Sequence, residues 1–497
     1  MFKDFGISEE DWNSTPQSVK TALIALQHQA RLMEIRFAAY DKKLAALEAK
    51  EAEIESLKTE VAALRERLGQ NSTNSSRPPS SDPPPASRRS RREPSSKKQG
   101  AQLGHQGAGR SLKPATEVDR VVDLRPQRCR KCGRRLKGDD PTPARHQVTE
   151  VPPAHAEVIE YRRHTLGCAT CGVKTAAEWG AEVPDGSFGA RVQATVAYFT
   201  GRLGLSHRDC VEALSVLHGA SLSLGSVSAL QRQVSHALAV PVETAREFVR
   251  HQAVNHVDET GWREQSKLNW LWVNATRQVT AFRVAAKRDS ATAREVIGRA
   301  KTSIITTDRY LGYNWLATQR RQVCWAHLKR DFQAICERGG ESQVLGEALL
   351  AETKEVFRLW HQVTDGVLSR RRFQHLIVPV RQRVTELLDE GSNCRSGKTR
   401  GTCRQIRTLE ETLWTFVRVK GVEPTNNAAE RALRRAVLWR RKSFGTQSEV
   451  GSRFVERILT VVTTLRQQGR DVLDYLTAAC ASATDNEVSI CLLPDTS

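Results

Sequence analysis

The chain has 497 residues, a formal charge of +20 and a pI of about 9.7. That length exceeds one ordinary domain and predicts about three, and the 39 % hydrophobic content supplies at least one sizeable core. A soluble chain this basic points to a polyanionic partner, with nucleic acid first among them. No apolar run approaches the ~20 residues of a membrane span. The acidic, polar start MFKDFGISEEDW has no signal-peptide pattern, so the reading is cytoplasmic and nucleoid-associated, with no membrane partner. Of 11 cysteines, four fall in two Cys-x-x-Cys pairs. In a reducing compartment that favours metal binding over disulfides.

From Gln17 to Leu68 the apolar residues Leu23, Leu26, Ala30, Met33, Phe37, Tyr40, Leu44 and Leu47 alternate steps of three and four. After a slip near Glu51 the pattern resumes at Ile54, Leu57, Val61, Leu64 and Leu68. This predicts one long helix with a coiled-coil seam and a register break. It serves either self-association or a hairpin on its own chain. Gly69 ends the helix. A Ser-, Pro-, Gly- and Arg-rich stretch follows, with Arg88, Arg89, Arg91, Arg92, Lys97 and Lys98. It can bury almost nothing and reads as a disordered basic linker able to neutralise phosphates without reading sequence.

The segment from about Val118 to Trp179 reads as β-like around RCRKCGRRL and GCATCGVKT. The spacing aims Cys129 and Cys132, then Cys168 and Cys171, at one metal. Gly133 and Gly172 free the backbone to approach the sulfurs. The expectation is one structural zinc in a four-cysteine ribbon; free thiols, or His164 in place of one cysteine, are the alternatives. Next, Ser206 and Ser223 can cap two helices separated by Gly219. Val211, Leu214 and Leu217 lie inside the first, and Val227, Leu230 and Val234 inside the second. This is a helix-turn-helix-like pattern, which reads DNA or simply packs.

Beyond Val254 come three apolar strand candidates, VNHVDETGW, NWLWVNAT and QVTAFRVAA. A helix from about Ser290 to Arg299 follows, then a fourth strand, TSIITTD. Residues from about Leu328 to Lys420 read as helical, as does the stretch from Asn426 to about Ala479. Three carboxylates stand out by context. Asp258 follows one apolar strand, Asp308 ends another, and Glu430 lies in EPTNNAAERALRR, where Thr425 or Asn426 can cap a helix. An acid at the end of a buried strand needs a partner or a metal. Singly, Asp308 can cap the helix after it and Glu430 can pair with Arg434. Together the three suit two magnesium (or manganese) ions in an in-line phosphoryl transfer. Downstream, Arg431, Arg434, Arg435, Arg441 and Lys442 make one side of that helix basic, and His327 and Arg330 lie in CWAHLKRDF; these seven are the candidate DNA contacts.

The zipper, the GHQGAGR linker, the four-cysteine ribbon, DETGW, TDRYLGYN, CWAHLKRDF and PTNNAAERALRR occur in one order over nearly the whole chain. In this the sequence resembles the insertion-sequence-66 family of DDE-type transposases. The resemblance implies Asp258, Asp308 and Glu430 as the catalytic triad, a helical insertion before the glutamate, and small accessory proteins of the same element as partners. The sequence departs from the family after the glutamate, where AVLWRRKSFGTQ replaces a proline and a lysine-rich stretch. By analogy, the strand order opens a ribonuclease H-like sheet.

The expected fold is multidomain α/β: a coiled coil over 1–69, a basic linker over 70–116, a zinc ribbon over 117–182 and a helix-turn-helix-like segment over 183–250. A ribonuclease H-like core spans 251–475, with a helical insertion over about 331–420, and a tail spans 476–497. The expected partners are DNA and, through the coiled coil, further copies of the chain. Two other functions fit parts of this pattern: a non-catalytic zinc-ribbon DNA-binding regulator, and a metal-dependent nuclease or resolvase on the same fold.

Overall fold

The computed structural model describes residues 6, 8–70, 75–76, 111–180, 183–184, 186–299, 302–484 and 490–494. Most of the expected basic linker lies outside the described residues. The chain forms two compact units, residues 1–84 and 85–497.

In the first unit, Ser8 caps α1 (Glu9–Ser14) by accepting from the Asp11 N–H. Helix α2 then runs unbroken from Gln17 to Gly69, 53 residues, about 80 Å at 1.5 Å per residue. The slip near Glu51 does not interrupt it. The seam side chains are exposed, Phe37 by 63 % and Leu44 by 57 %, so nothing among the unit's described residues covers them.

From residue 111 the described part of the second unit is mostly irregular chain as far as residue 180. Its regular strands before residue 180 are β1 (Thr165–Gly167) and β2 (Lys174–Ala176), an antiparallel hairpin, and one bridge joins Arg128 to Arg135. The expected β-like stretch is therefore mostly irregular. Its apolar residues, among them Val121, Leu124, Val148, Val151 and Val158, are exposed, so no core forces them into a sheet.

Helices α3 (Ala190–Ala197), α4 (His207–His218), α5 (Leu224–Ala237) and α6 (Ala239–Arg250) follow, α3 running on into a π-helical turn, Tyr198–Leu203. Ser206 and Asp209 close a capping box on α4, Gly219 ends it at φ 66°, and Ser223 caps α5. Cys210, Leu214, Val227 and Leu230 share one small core. Leu217, expected inside, is 56 % exposed.

The central sheet has five strands in the order β5-β4-β3-β6-β7. Strands β3 (Val254–Glu264), β4 (Lys267–Ala275) and β5 (Thr280–Ala285) form an antiparallel meander, and β6 (Ile304–Thr307) and β7 (Arg321–Val323) run parallel to β3. Gln265 and Ser266 close the β3–β4 hairpin, both at positive φ, the conformation a two-residue hairpin turn demands. Helix α7 (Ser290–Ile297) crosses between β5 and β6 and covers Val257, Trp272 and Ile305 on one face. The other face, with Trp262, Leu271 and Val273, is covered by α14 (Asn427–Ser443) and α15 (Glu449–Gln468).

Between β7 and α14, helices α8 (Trp325–Cys336), α9 (Gly340–Thr364), α10 (Arg370–Gly391), α11 (Gly397–Thr408), α12 (Glu410–Leu413) and α13 (Thr415–Arg418) build a core around Phe332, Leu349, Phe373, Val384, Trp414 and Phe416. Helix α16 (Val472–Thr484) crosses the expected boundary at 475. Its Leu476 and Ala479 share a core with Ala194, Val234 and Ile458, so the helices before the sheet and the C-terminal helices pack as one layer. Among the described residues no helix is long and apolar enough to cross a membrane.

Candidate active site

Asp258 lies in the middle of β3, across from Val273 of β4. On its other side, Val254, Asn255 and His256 align with Ile304, Ile305 and Thr306 of β6. Asp308 follows β6 directly, at the end of the strand that neighbours β3, and its charge acts on Asp258. Asp258 accepts only the Glu259 N–H, at 2.9 Å, and no basic side chain pairs with it among the described residues. Burial, then the charges of Glu259, Asp308 and Glu430, hold its carboxyl well above the usual range. Asp308 and Glu430 thus lie near enough for their charges to act on Asp258, although among the described residues the oxygens of the three acids do not gather within 4.8 Å of one another.

Asp308 is held from behind. The buried Arg321 guanidinium donates to the Thr307 hydroxyl at 3.0 Å, to Asn314 at 3.0 Å and to the Asp308 carbonyl at 2.9 Å. The Asp308 carboxylate accepts the Tyr310 N–H at 2.9 Å, turning the chain just after the strand. Glu259, next to Asp258, points to the opposite face, as strand alternation requires. Its fully buried carboxylate accepts from Arg288 Nε at 2.6 Å and from the Tyr313 hydroxyl. Arg288 stacks on Tyr310 at 4.0 Å and lies 3.7 Å from Asp308. Glu259 is therefore the anchor of a scaffold behind the acids.

Glu430 sits in the first turn of α14, whose start is stitched to the sheet. The Asn426 side chain, expected to cap the helix, instead donates to the Val257 carbonyl at 2.8 Å. Its backbone N–H donates to Cys324 Sγ at 3.1 Å, and the Trp325 N–H reaches the Pro424 carbonyl at 2.9 Å. Glu430 does not pair with Arg434: His327 Nδ1 is 3.5 Å and Arg330 Nη2 3.8 Å from its Oε1. Burial raises the Glu430 carboxyl, opposed by Arg330 and Arg431. Burial, then Arg330, pushes His327 down to about 4, and burial pushes Cys324 up to about 12. His327 and Arg330 thus lie against the third acid.

Of the α14 candidates, Arg431, Arg434, Arg441 and Lys442 are exposed and Arg435 is half-buried. Arg431 and Arg435 line a cleft of about 700 Å³ together with Arg202, Arg277 and Arg466, which sequence reading missed. These five guanidinium groups have no carboxylate partner among the described residues; His256 and Glu423 line the same cleft. Arg440 is committed elsewhere, to Thr260 and the Gly261 carbonyl.

The two cysteine pairs form matching knuckles. The Cys129 N–H reaches the Arg134 carbonyl at 2.8 Å and the Cys168 N–H reaches the Val173 carbonyl at 2.9 Å. Gly133 and Gly172 turn back at φ 72° and 71°. In each, hydrogen bonds from the second half of the turn lower the first thiol, Cys168 to about 7, which favours the thiolate a metal needs. Among the described residues, donor atoms gather within 4.8 Å of one another at Cys324, His327 and Glu430, and not at the four knuckle cysteines.

The sequence profile of the Transposase IS66 family matches residues 185–453. That stretch holds the sheet and the three acids, so the molecule is of the transposase class. It is more than half of the chain, and the chain belongs to the IS66 transposase family. A family of unknown function (DUF6444) matches residues 24–111. An uncharacterized protein of Sinorhizobium fredii, y4qI, is 28 % identical over 232 residues, 42 % of each chain. The chain thus spans less than half the length of that relative.

Proposed function

We propose that the chain is a DDE transposase that binds the ends of its element, cleaves the DNA there and joins the freed 3′ ends to target DNA. The observation that carries this is Asp258: a buried strand carboxylate that feels the charges of Asp308 and Glu430 and has no cationic side chain paired with it among the described residues. Such a group is costly unless protonated or bound to cations, and its hard oxygen donors fit magnesium or manganese. Asp258, Asp308 and Glu430 would hold two such ions, which supply an activated attacking oxygen and stabilise the leaving one. The chain's own part is positional. Arg321 and Arg288 fix Asp308, and Asn426 ties the start of α14 to β3. The order β5-β4-β3-β6-β7, antiparallel then parallel, supports a ribonuclease H-like core over 251–475, interrupted by helices.

DNA binding is proposed for Arg431, Arg434, Arg435, Arg441 and Lys442, with the cleft arginines tracking phosphates. The helix-turn-helix-like pair α4–α5 and the basic knuckles add further contacts, and accessory proteins of the element complete the list of partners. The reading is tested by incubating labelled element ends and a target plasmid with the protein in magnesium. Joined 3′ ends are expected; cut ends that never join would make the chain a nuclease, and unmodified DNA a regulator.

Cys129, Cys132, Cys168 and Cys171 are proposed to hold one structural zinc. The matched knuckles and their positive-φ glycines support it. Cys129→Ser or Cys171→Ser is expected to release about one zinc per chain and unfold residues near 118–180. Zinc content measured by emission spectrometry, if unchanged in both variants, removes the assignment.

The exposed seam of α2 supports self-association. Deleting residues 1–69 is expected to lower the oligomeric state while leaving the circular dichroism of the rest intact. An unchanged mass by light scattering contradicts it.

A further inference from the structure

Cys324, His327 and Glu430 come from two helix starts that the fold presses together. Cys324 is the N-cap of α8, and His327 follows three residues on, on the same face of the first turn. Glu430 faces them from the first turn of α14. Their Sγ, imidazole nitrogen and carboxylate oxygen all lie within 4.8 Å of one another. His327 Nδ1 and Glu430 Oε1 are buried, 3.5 Å apart, and neither has a hydrogen-bond partner. Native proteins rarely leave two facing polar atoms unsatisfied, and an ion between them is one of the few explanations. The third donor is prepared as well: the Asn426 N–H points at Cys324 Sγ from 3.1 Å, the hydrogen bond that supports a metal-bound thiolate.

We propose that Cys324, His327 and Glu430 form a second metal site, for a borderline-soft divalent cation of the zinc class. Sulfur, imidazole nitrogen and one carboxylate oxygen are zinc donors and poor magnesium donors. Donors around a tetrahedral zinc stand about 3.3–3.7 Å apart, so the 3.5 Å between His327 and Glu430 needs little adjustment. Three protein donors leave the fourth position open. Binding displaces the Cys324 thiol proton to solvent. The site shares Glu430 with the proposed magnesium cluster but does not depend on that reading, because Asp258 and Asp308 are outside its donor set.

The test is a cobalt(II) titration of the metal-stripped full-length protein, following the thiolate-to-cobalt charge-transfer band and the visible bands of tetrahedral cobalt. Wild type is expected to take up one cobalt ion more than Cys324→Ser or His327→Gln, with affinity at this site lower by at least about tenfold in either variant. Cys129→Ser keeps this ion, which separates it from the knuckle site. Asp258→Asn keeps it too, even where joining activity is lost, so the two metal readings fail independently. Circular dichroism checks each fold. If Cys324→Ser unfolds, His327→Gln carries the comparison, since its ring is partly exposed and its loss leaves the α8 cap intact. Equal cobalt uptake and equal band intensity in wild type and folded His327→Gln overturns the proposal.

Discussion

Asp258→Asn, Asp308→Asn and Glu430→Gln are each expected to lower DNA cleavage and joining by roughly a hundred- to a thousandfold, the scale on which removal of one preorganised electrostatic group acts. Each substitution keeps the size of the side chain and removes one anionic donor. Asp258 gives the clearest case: its carboxylate makes one backbone hydrogen bond and has no paired cation among the described residues, so asparagine leaves the surrounding packing intact. Affinity for DNA should stay within a few-fold, because phosphate contacts come from arginine and lysine. The losses should not add in double variants, since one missing donor already disables the cluster. Glu259→Gln is the control. Its side chain points to the other face of β3, towards Tyr313 and Arg288. It should keep much more activity than Asp258→Asn while losing roughly 1–3 kcal/mol of stability, the cost of disturbing a buried hydrogen-bonded charge. An active Asp258→Asn beside a dead Glu259→Gln would mean that the wrong carboxylate has been chosen.

Glu456→Ala is expected to destabilise the sheet-bearing core by roughly 3–5 kcal/mol, the cost of breaking a buried ion pair from one side. Glu456 is fully buried on α15. It accepts from Arg246 Nη2 at 3.0 Å, from Arg453 Nη1 at 2.8 Å and from the Val284 N–H. One and two turns on, Thr460 accepts the Phe282 N–H at 3.0 Å and Thr464 the Thr280 N–H at 3.1 Å. Strand β5 is at the edge of the sheet, and a bare edge invites pairing with other chains. Glu456, Thr460 and Thr464, spaced by one helical turn, satisfy its alternate N–H groups instead. Alanine leaves one strand N–H and two guanidinium groups without their shared acceptor. Denaturant unfolding should show an earlier midpoint for this core, and the variant should aggregate more readily. Thr460→Val, which removes one neutral hydrogen bond, should cost about 1 kcal/mol. A Glu456→Ala protein within about 0.5 kcal/mol of wild type would contradict the edge-sealing role.

What could be read from the sequence was local. The three-four spacing in α2 specifies a long helix, because a heptad seam is a property of one segment. The Cys-x-x-Cys-Gly pairs specify two knuckles for the same reason. Asp258 and Asp308 could be found because each interrupts an apolar strand run, where a charge has no place unless it is used. The scaffold behind them was not legible. Arg321 lies in a polar stretch, and its burial under Asp308 depends on where β7 pairs with β6. Arg202, Arg277 and Arg466 are far apart in the chain and meet only when α15 packs along β5 and against the π-helical turn that carries Arg202. His327 and Arg330 looked like surface cations free for DNA; the fold turns them onto Glu430. Asn426 looked like a cap, and its side chain instead bridges to β3. One signal was available and went unused: Cys324 and His327 have the spacing of a metal pair, the same arithmetic that exposed the knuckles.

Asp258 on β3, Asp308 just after β6 and Glu430 on α14 are proposed to hold hard divalent cations. Manganese binding to the full-length protein, counted by electron paramagnetic resonance with the knuckles kept in zinc, tests it without reference to DNA. Wild type should bind about two manganese ions, and Asp258→Asn and Glu430→Gln should each bind fewer, or bind at least about tenfold more weakly. Equal manganese binding by wild type and by the triple variant Asp258→Asn, Asp308→Asn, Glu430→Gln would contradict cation binding by these carboxylates.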